Sequence, residues 1–197
     1  MGVIRITGGQ WSGRHLRVPS WGVRPSQDRI RLAIFSSLGG FVENTRVLDL
    51  FAGSGAYGFE ALSRGAQTVC WVDRNRRACE TIQRNLNELL PPDERHRGCV
   101  VCADALDVHT YRDVGPYELI LADPPYQLSE RPELLAEIQS RLAAHNLVVP
   151  GAVLIYEVAA RARPSLADGW TLVRERRAGD SRWLLTQWQR PSPNASR

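Results

Sequence analysis

The sequence predicts an α/β protein with a parallel sheet and helices on both faces of that sheet. From residue 46 onward, short apolar segments typical of buried strands alternate with segments of helical periodicity. A glycine turn at 53–55 follows the first of these strands, and Asp123-Pro-Pro-Tyr126 closes a later one. The 197 residues, of which 43% are hydrophobic, are enough for one such domain and short for two.

Residues 1–20 are predicted to form a small β-hairpin. Apolar and polar residues alternate on both sides of Gly8-Gly9, and a glycine turn between short strands is typical of a hairpin. Arginine and aromatic side chains, which suit phosphate binding and base stacking, decorate this segment. Two interpretations stay open, a solvated edge hairpin and an arm that grips nucleic acid. The side chains concerned are Arg5, Arg14, His15, Arg17, Trp11 and Trp21.

A helix is predicted over residues 24–38. Ser26 is placed to cap its N-terminus, and Asp28 lies in the first turn, where a carboxylate interacts well with the helix dipole. Arg29 and Arg31 fall off the apolar stripe, so we expect them to face water or a ligand. The stripe consists of Ile30, Ala33, Ile34 and Leu38.

In the rest of the chain, predicted strands and helices alternate regularly. The alternation ends in a predicted hairpin and a frayed tail at 191–197. The predicted strands are 47–51, 68–72, 99–102, 118–122 and 153–158, followed by the hairpin strands 171–175 and 183–188. The predicted helices are 56–64, 76–90 and 132–144.

Charge and composition favour a protein of the cytoplasm with a polyanionic partner. The net charge is +4 and the isoelectric point about 9.2, which permits such a partner without proving one. All 25 basic residues are arginine; we attribute most of this bias to a GC-rich genome, although arginine also suits phosphates and guanine edges. The first ten residues lack an apolar signal core, and no apolar run is long enough to span a bilayer.

The four cysteines are predicted to be buried thiols rather than a metal or redox site. Cys99 and Cys102 have the spacing of a zinc or redox pair, but on a strand residues three apart point to opposite faces. No second Cys/His pair completes a zinc site, so we expect no metal.

The glycine turn predicts a ligand site at the carboxyl ends of the strands. Its glycines allow a tight turn and close approach, and the helix after it offers unpaired N–H groups. The spacing of Gly53, Gly55 and Gly58 also fits a dinucleotide fingerprint. However, the carboxylate of Asp49 would repel a pyrophosphate and attract an ammonium. This charge favours S-adenosylmethionine, which carries an ammonium and a sulfonium but no phosphate.

Two further carboxylates extend the predicted cofactor site. Asp73 ends the second strand, where a carboxylate accepts hydrogen bonds from ribose hydroxyls; it could equally cap the next helix. Asp104 is placed to meet the adenine amine, or it is a simple turn residue. The predicted cofactor contacts are Asp49, Phe51, Ala52, Gly53, Ser54, Gly55, Asp73, Arg74, Asp104 and Ala105.

Asp123-Pro-Pro-Tyr126 predicts methyl transfer to an exocyclic amine of a nucleobase. Two prolines fix the backbone and remove two N–H donors, so the carbonyl groups can face outward. The Asp123 carboxylate and the Pro124 carbonyl would accept both amine hydrogens and turn the nitrogen lone pair toward the methyl group. Pro125 shapes the loop, and Tyr126 would stack on an extruded base. The alternative is a proline-rich strand exit. Methylation of cytosine C5 is excluded because no cysteine nucleophile lies near this loop in sequence.

Taken together, these motifs resemble those of the RsmD-type methyltransferases, which modify a guanine N2 in small-subunit (16S) ribosomal RNA. The resemblance implies a Rossmann-like class I methyltransferase fold with a mostly parallel seven-stranded sheet and an antiparallel last strand. It also implies a small N-terminal β-hairpin extension that contacts RNA, and action on the small subunit or an assembly intermediate. One departure is Ala178, where the family often has an aromatic residue. The matching segments are 5–14, 24–31, 48–55, 73–75, 104–105, 123–126 and Glu157.

The resulting organisation is an RNA-contacting extension at 1–22, a methyltransferase domain at 23–190 and a disordered tail at 191–197. We expect a monomer. Two other functions stay open, a DNA amino-methyltransferase acting on adenine N6 or cytosine N4 and a non-catalytic RNA-binding assembly factor. The side chains expected on RNA phosphates are Arg5, Arg14, Arg17, Arg24, Arg29 and Arg31.

Overall fold

The computed structural model describes residues 3–18 and 26–190. The predictions for Arg24, for the side chain of Ser26, for the boundary at 22–23 and for the tail at 191–197 therefore lie outside the described residues. Within the described ranges, no helix is both long enough and apolar enough to cross a membrane.

Nine strands and five α-helices follow one another within these ranges, joined by short 3₁₀ turns. The strands are β1 (Val3–Arg5), β2 (His15–Arg17), β3 (Arg46–Leu50), β4 (Thr68–Asp73), β5 (Gly98–Cys102), β6 (Tyr117–Ala122), β7 (Val148–Ala159), β8 (Trp170–Ala178) and β9 (Ser181–Trp188). The helices are α1 (Ser26–Leu38), α2 (Ala56–Ser63), α3 (Arg76–Leu89), α4 (Tyr126–Ser129) and α5 (Leu134–Ala144).

Seven of these strands form one sheet in the order β5-β4-β3-β6-β7-β9-β8. Strands β3 to β7 are parallel, and the last strand, β9, is antiparallel to both of its neighbours. The predicted mostly parallel, seven-stranded sheet with an antiparallel last strand is confirmed. The chain order reverses between β3 and β6, and open α/β sheets bind ligands outside the carboxyl ends of strands at such a point.

Each face of the sheet has its own apolar core. Side chains alternate along a strand, so Val47 points to one face and Leu48 to the other. Helices α1, α2 and α3 and the N-terminal hairpin cover the face that holds Val47 and Trp71, which we call the α1–α3 face. Helix α5 covers the face that holds Leu48, which we call the α5 face.

Most predicted boundaries lie within two residues of the observed ones, and the exceptions have physical causes. Strand β7 begins at Val148 rather than at residue 153. Pro150-Gly151 is typical of a turn, but it lies within the strand, where the pairing with β6 shifts its register. Strand β8 continues to Ala178 although its sequence lacks apolar alternation, because pairing with β9 holds it. The short helix α4 was not predicted.

The N-terminal hairpin is confirmed, and it is docked rigidly on helices α2 and α3. Strands β1 and β2 pair antiparallel. Thr7 donates its N–H and its hydroxyl to the two carboxylate oxygens of Glu60, at 2.8 and 2.7 Å. The side-chain amide of Asn85 accepts from the N–H of Arg17 and donates to its carbonyl, both at 2.9 Å. These contacts make the hairpin part of the packed domain.

Arg31 does not face water, so that prediction is wrong. Its side chain is 2% exposed and donates to Glu60 at 3.3 Å, to Asp28 at 2.9 Å and to the carbonyl of Arg5 at 2.6 Å. Position 31 lies one turn from Phe35 on the buried side of α1, and the carboxylate of Glu60 compensates its charge there. Its expected role on RNA phosphates is withdrawn, whereas Arg29 is exposed as predicted.

Replacing Glu60 by alanine should cost about 3–5 kcal/mol of unfolding free energy, because the buried Arg31 then keeps only the half-exposed Asp28 as a carboxylate partner. The matched control is Glu88→Ala, which removes the exposed pair between Arg17 and Glu88 and should cost under about 1 kcal/mol. Urea unfolding of both variants measures the difference. Equal, small losses would show that the buried pair does not hold the hairpin.

Candidate active site

Four carboxylates meet at the carboxyl ends of the central strands. The register pairs Leu50 with Ala122 and Ala122 with Tyr156, so Asp123 and Glu157 follow at the same level. Asp49, Asp73, Asp123 and Glu157 occupy positions whose side chains point to the α1–α3 face. We call this group the acidic edge (Asp49, Asp73, Asp123 and Glu157). It creates a negative potential beside the N-terminus of α2.

Asp49 is the most deeply buried member of the acidic edge. It is 2% exposed, and its Oδ2 accepts a hydrogen bond of 2.9 Å from the N–H of Gly58 in the first turn of α2. Burial raises the pKa of Asp49 well above its usual range, and the charges of Asp123 and Asp73 raise it further. The Gly58 N–H opposes this rise because it stabilises the carboxylate. The site therefore favours any cation that can approach Asp49.

The glycine turn is held in place by Asp73. Oδ2 of Asp73 accepts from the N–H of Gly53 at 2.8 Å, and Oδ1 accepts from the N–H of Asn75 at 2.7 Å. Gly53 and Gly55 have φ angles of 54° and 76°, in the left-handed region that glycine adopts at little cost. A Cβ on Gly55 would come within 2.9 Å of a neighbouring side chain, whereas a Cβ on Gly53 would meet only a carbonyl oxygen at 3.9 Å. Gly53 thus borders open space where a ligand could lie.

The backbone of Phe51 is strained at the entrance to this turn. Its φ angle is 57°, a left-handed value that is uncommon for a bulky residue. Such strain persists where the surrounding contacts hold it, and it gathers at ligand sites. Here the N–H of Ala52 donates to the carbonyl of Val72 at 3.1 Å and fixes the turn against β4.

The alternatives for the two other predicted cofactor carboxylates are partly resolved. Asn75, not Asp73, caps helix α3, because its side-chain oxygen accepts from the N–H groups of the first turn. Asp104 does form a turn: its Oδ1 accepts from the N–H of Leu106 at 2.8 Å. Its side chain is exposed, and Ala105 beside it is buried. Each carboxylate oxygen has a second lone pair, so both acids can still accept hydrogen bonds.

The two proline carbonyl groups of the Asp123 loop differ in their hydrogen bonds. The Pro125 carbonyl accepts from the N–H groups of Leu128 and Ser129, at 2.8 and 3.0 Å, and so begins helix α4. The Pro124 carbonyl accepts no hydrogen bond from the described residues, although Pro124 is buried. This carbonyl therefore keeps both of its lone pairs for a donor on a ligand.

Tyr126 is 49% exposed and is fixed by an arginine. Arg161, in the loop after β7, donates to the tyrosine oxygen at 2.5 Å. The guanidinium carbon of Arg161 lies 5.7 Å from the centre of the ring, a cation–π distance. Arg161 also pairs with Glu130. The ring is therefore held at the mouth of the loop.

Tyr57 and Glu157 complete the site, and the motif analysis did not identify them as site residues. The Tyr57 hydroxyl donates to Oε2 of Glu157 at 2.8 Å, and its ring stacks on Phe35 with centroids 6.5 Å apart. Burial raises the pKa of Tyr57 well above its usual value, and the charges of Glu157 and Asp123 add to this rise. Glu157 is among the residues that carry the family resemblance, although no role in the site was predicted for it.

The cysteines lie away from the Asp123 loop, and Cys99 and Cys102 point to opposite faces of β5 as predicted. The prediction that all four are buried is wrong for Cys102, which is exposed near the end of β5, and Cys99 is only half-buried. Cys99 pairs in register with Cys70 on the neighbouring strand, and a hydrogen bond from Cys70 lowers the pKa of Cys99 to about 7. Cys102 interacts with Cys79, on the opposite side of β5. The described residues contain no cluster of metal-ligating side chains. Two strands, β4 and β3, separate the cysteine strand from β6.

The hairpin arginines and the Asp123 loop are not brought together. The hairpin tip donates from the N–H of Gln10 to the carbonyl of Ser63 at the end of α2, at the opposite edge of the sheet. Arg5, Arg14 and Arg17 are exposed on this hairpin, and Arg17 pairs with Glu88. A cavity of about 450 Å³ also lies at this opposite edge, lined by residues such as Gly9 and Arg97. It holds no member of the acidic edge.

Comparison with known proteins identifies a matching family and several similar proteins. Residues 4–187 match the family described as conserved hypothetical protein 95. Ribosomal RNA small subunit methyltransferase D of Escherichia coli K12 is 35% identical over 188 residues, covering 94% of this chain and 90% of that protein. The Haemophilus influenzae protein of the same name is 32% identical and covers 94% of each. The solved structure of the Escherichia coli protein yhhF, 32% identical, superposes with a TM-score of 0.82 over 95% of this chain and 99% of that one.

Replacing Asp49 by asparagine should stabilise the protein increasingly as the pH rises. Below the ordinary pKa of aspartate, folded and unfolded chains both hold the proton. As the pH rises from there toward the raised folded pKa, only the unfolded chain releases it, so the wild type loses stability and the Asp49→Asn variant does not. At pH 7 we expect the variant to be more stable by over about 1 kcal/mol, and the gap to shrink at pH 4.

Urea unfolding across this pH range, without added ligand, measures the gap. The matched control is Asp104→Asn, which removes an exposed carboxylate and should change the unfolding free energy by under about 0.5 kcal/mol. If the difference in unfolding free energy between the Asp49→Asn variant and the wild type stayed constant with pH, the raised pKa of Asp49 would be contradicted.

Proposed function

Because the chain belongs to the conserved hypothetical protein 95 family, which includes ribosomal RNA small subunit methyltransferase D, we propose that it methylates guanine N2 in small-subunit (16S) ribosomal RNA. The resemblance to the RsmD-type methyltransferases is confirmed by this membership, and the protein is a methyltransferase. The finer proposal rests on the acidic edge and on the neighbouring Pro124 carbonyl, which accepts no hydrogen bond from the described residues. We place the activity in the cytoplasm, on the small subunit or an assembly intermediate.

The residues at the carboxyl ends of the strands fit S-adenosylmethionine. Its ammonium and sulfonium are cations, and the acidic edge supplies the opposite charge. Gly53 borders the open space, Asp73 keeps acceptor capacity for ribose hydroxyls, and Asp104 keeps it for the adenine amine. When bound, the cofactor supplies an electrophilic methyl group. The residues proposed to hold it are Asp49, Phe51, Ala52, Gly53, Ser54, Gly55, Asp73, Arg74, Asp104 and Ala105.

The Asp123 loop would hold the amine. The N2 nitrogen of guanine is a poor nucleophile because its lone pair is delocalised into the ring. The Pro124 carbonyl and the Asp123 carboxylate would accept one N–H each and direct the lone pair out of the plane. This arrangement works by positioning and by preorganised charge rather than by a covalent intermediate. Pro125 contributes by starting helix α4, which fixes the direction of the loop.

Tyr126 would stack on the guanine. An exposed ring at the mouth of the loop suits a base that leaves its stack, at a cost of a few kcal/mol. Arg161 holds the tyrosine oxygen, so the ring is already oriented before the base arrives. Tyr57 and Glu157, joined by their hydrogen bond, would lie on the other side of the purine.

Replacing Asp123 by alanine should preserve cofactor binding and reduce methyl transfer by more than 100-fold, because one of the two amine acceptors is lost. Calorimetry measures cofactor binding, and tritiated methyl incorporation into small ribosomal subunits measures transfer. Asp93→Ala, a change of an exposed carboxylate in the turn before β5, should leave both unchanged. Full transfer by the Asp123 variant would remove the proposed role of the loop.

The position of the methyl group is tested by mass spectrometry of 16S ribosomal RNA from cells lacking the protein, before and after treatment with it. We expect one N2-methylguanosine to appear. Inosine at that nucleotide lacks the N2 amine and should accept no methyl group. Methylation of inosine would overturn the N2 assignment while leaving the methyltransferase intact. Preferential transfer to duplex DNA over ribosomal particles would instead indicate a DNA amino-methyltransferase.

A further inference from the structure

Strand β8 is an edge strand with an exposed, arginine-rich surface. Among the described residues it pairs only with β9, and every residue from Thr171 to Arg177 is exposed. An open sheet edge is usually short, covered or charged, because unpaired backbone groups attract other chains. Here the edge carries three arginines and one glutamate among its last five residues before the turn. These charges are distributed unevenly between the α1–α3 face and the α5 face of the sheet.

A β-bulge places two arginines on the α1–α3 face. The register shifts between Leu172 and Arg174, after which Arg174 pairs with Leu185 and Arg176 with Trp183. Directly paired residues point to the same face, and Leu185 and Trp183 belong to the core of the α1–α3 face. Without the bulge, the alternate residues, including Glu175, would occupy this face.

Helix α1 lies beside these arginines and adds a third. Ser37, near the end of α1, accepts a hydrogen bond from Arg174. Ala33 and Arg29 lie four and eight residues earlier on the same side of the helix. Ala33 and Ser37 have short side chains, and they lie between Arg29 and the arginines of β8 along this surface. We call this surface the β8–α1 strip (Arg29, Ala33, Ser37, Arg174 and Arg176).

The guanidinium groups of this strip have no carboxylate partners. Within the described part of the chain, Arg29 and Arg176 make no hydrogen bond or ion pair, and Arg174 bonds only to a hydroxyl. Glu175 points to the α5 face, where it pairs with Arg182. Most other described arginines are bound to carboxylates or carbonyl groups, although the side chains of Arg5 and Arg14 on the hairpin also have no partner among the described residues. The strip therefore keeps its charge for a ligand.

The strip leads to the Asp123 loop. Arg176, Trp183 and Glu157 form one row across β8, β9 and β7, so Arg176 lies about 10 Å from Glu157. Helix α1 begins near the carboxyl ends of the strands, because its C-terminal end leads through a short turn to the start of β3. Arg29 therefore lies toward the acidic edge, unlike the hairpin tip at the opposite edge.

We propose that the backbone of the substrate RNA docks along the β8–α1 strip, with its phosphates on Arg29, Arg174 and Arg176. This inference rests on the proposed function, since it assumes an RNA substrate. Planar guanidinium groups bind phosphates through two parallel hydrogen bonds, and a strip of them beside the site would hold the strand on either side of an extruded guanine.

Three double variants with equal loss of charge test this proposal. Arg174→Gln with Arg176→Gln changes the strip, Arg5→Gln with Arg14→Gln changes the hairpin, and the exposed pair on the far side is changed by Arg84→Gln with Arg95→Gln. Binding of protein-free 16S RNA is measured by fluorescence anisotropy between about 50 and 300 mM salt, the range in which phosphate contacts weaken. Cofactor binding and kcat/KM for methyl transfer are measured alongside.

The strip variant should bind RNA roughly tenfold more weakly, and its salt dependence should fall by about two phosphate contacts. Its cofactor binding should not change, and the other two variants should lose less than about threefold. A loss no larger than that of the far-side variant would overturn the proposal, as would a loss confined to the hairpin variant. A loss seen with ribosomal particles but not with protein-free RNA would overturn it too, and would assign the strip to a protein partner. If the wild type itself bound and methylated no RNA, the proposed function would fail instead.

Discussion

The structure depends on the alignment of the carboxyl ends of four parallel strands. That alignment brings Asp49, Asp73, Asp123 and Glu157 to one edge, where their charges repel one another and burial adds to the cost. A protein retains such an arrangement when the group that binds there carries the opposite charge. The acidic edge and the glycine turn therefore form a single binding site for a cationic cofactor.

Two kinds of hydrogen bond hold the side chains of this site in position. Backbone N–H groups of α2 and of the glycine turn donate to Asp49 and Asp73, so the carboxylates are oriented by the chain that they also hold in place. Tyr57 does the same for Glu157 from the other side. Because these donors are fixed before any ligand arrives, little reorganisation is needed on binding.

The periodicity of the sequence was sufficient for the parallel sheet and for most of its strands and helices, and the local glycine and proline signals were sufficient for the motifs at its edge. The antiparallel last strand was expected only from the family resemblance. It failed where partners come from distant segments. Arg31 reads as exposed because the buried side of its helix is wider than the apolar stripe, and only Glu60 in the folded chain explains it. The contact between Tyr57 and Glu157 spans 100 residues, and no local pattern predicts a contact of that kind.

The buried carboxylate of Glu60 joins three segments that are far apart in the chain. Thr7 of the hairpin, Arg31 of α1 and Arg64 at the end of α2 all bind to it. The N-terminal extension therefore cannot be exchanged between homologues as an independent module. A graft or deletion that ignores position 60 would leave the buried Arg31 with only Asp28 as a carboxylate partner, and the defect would spread to helix α2, which follows the glycine turn.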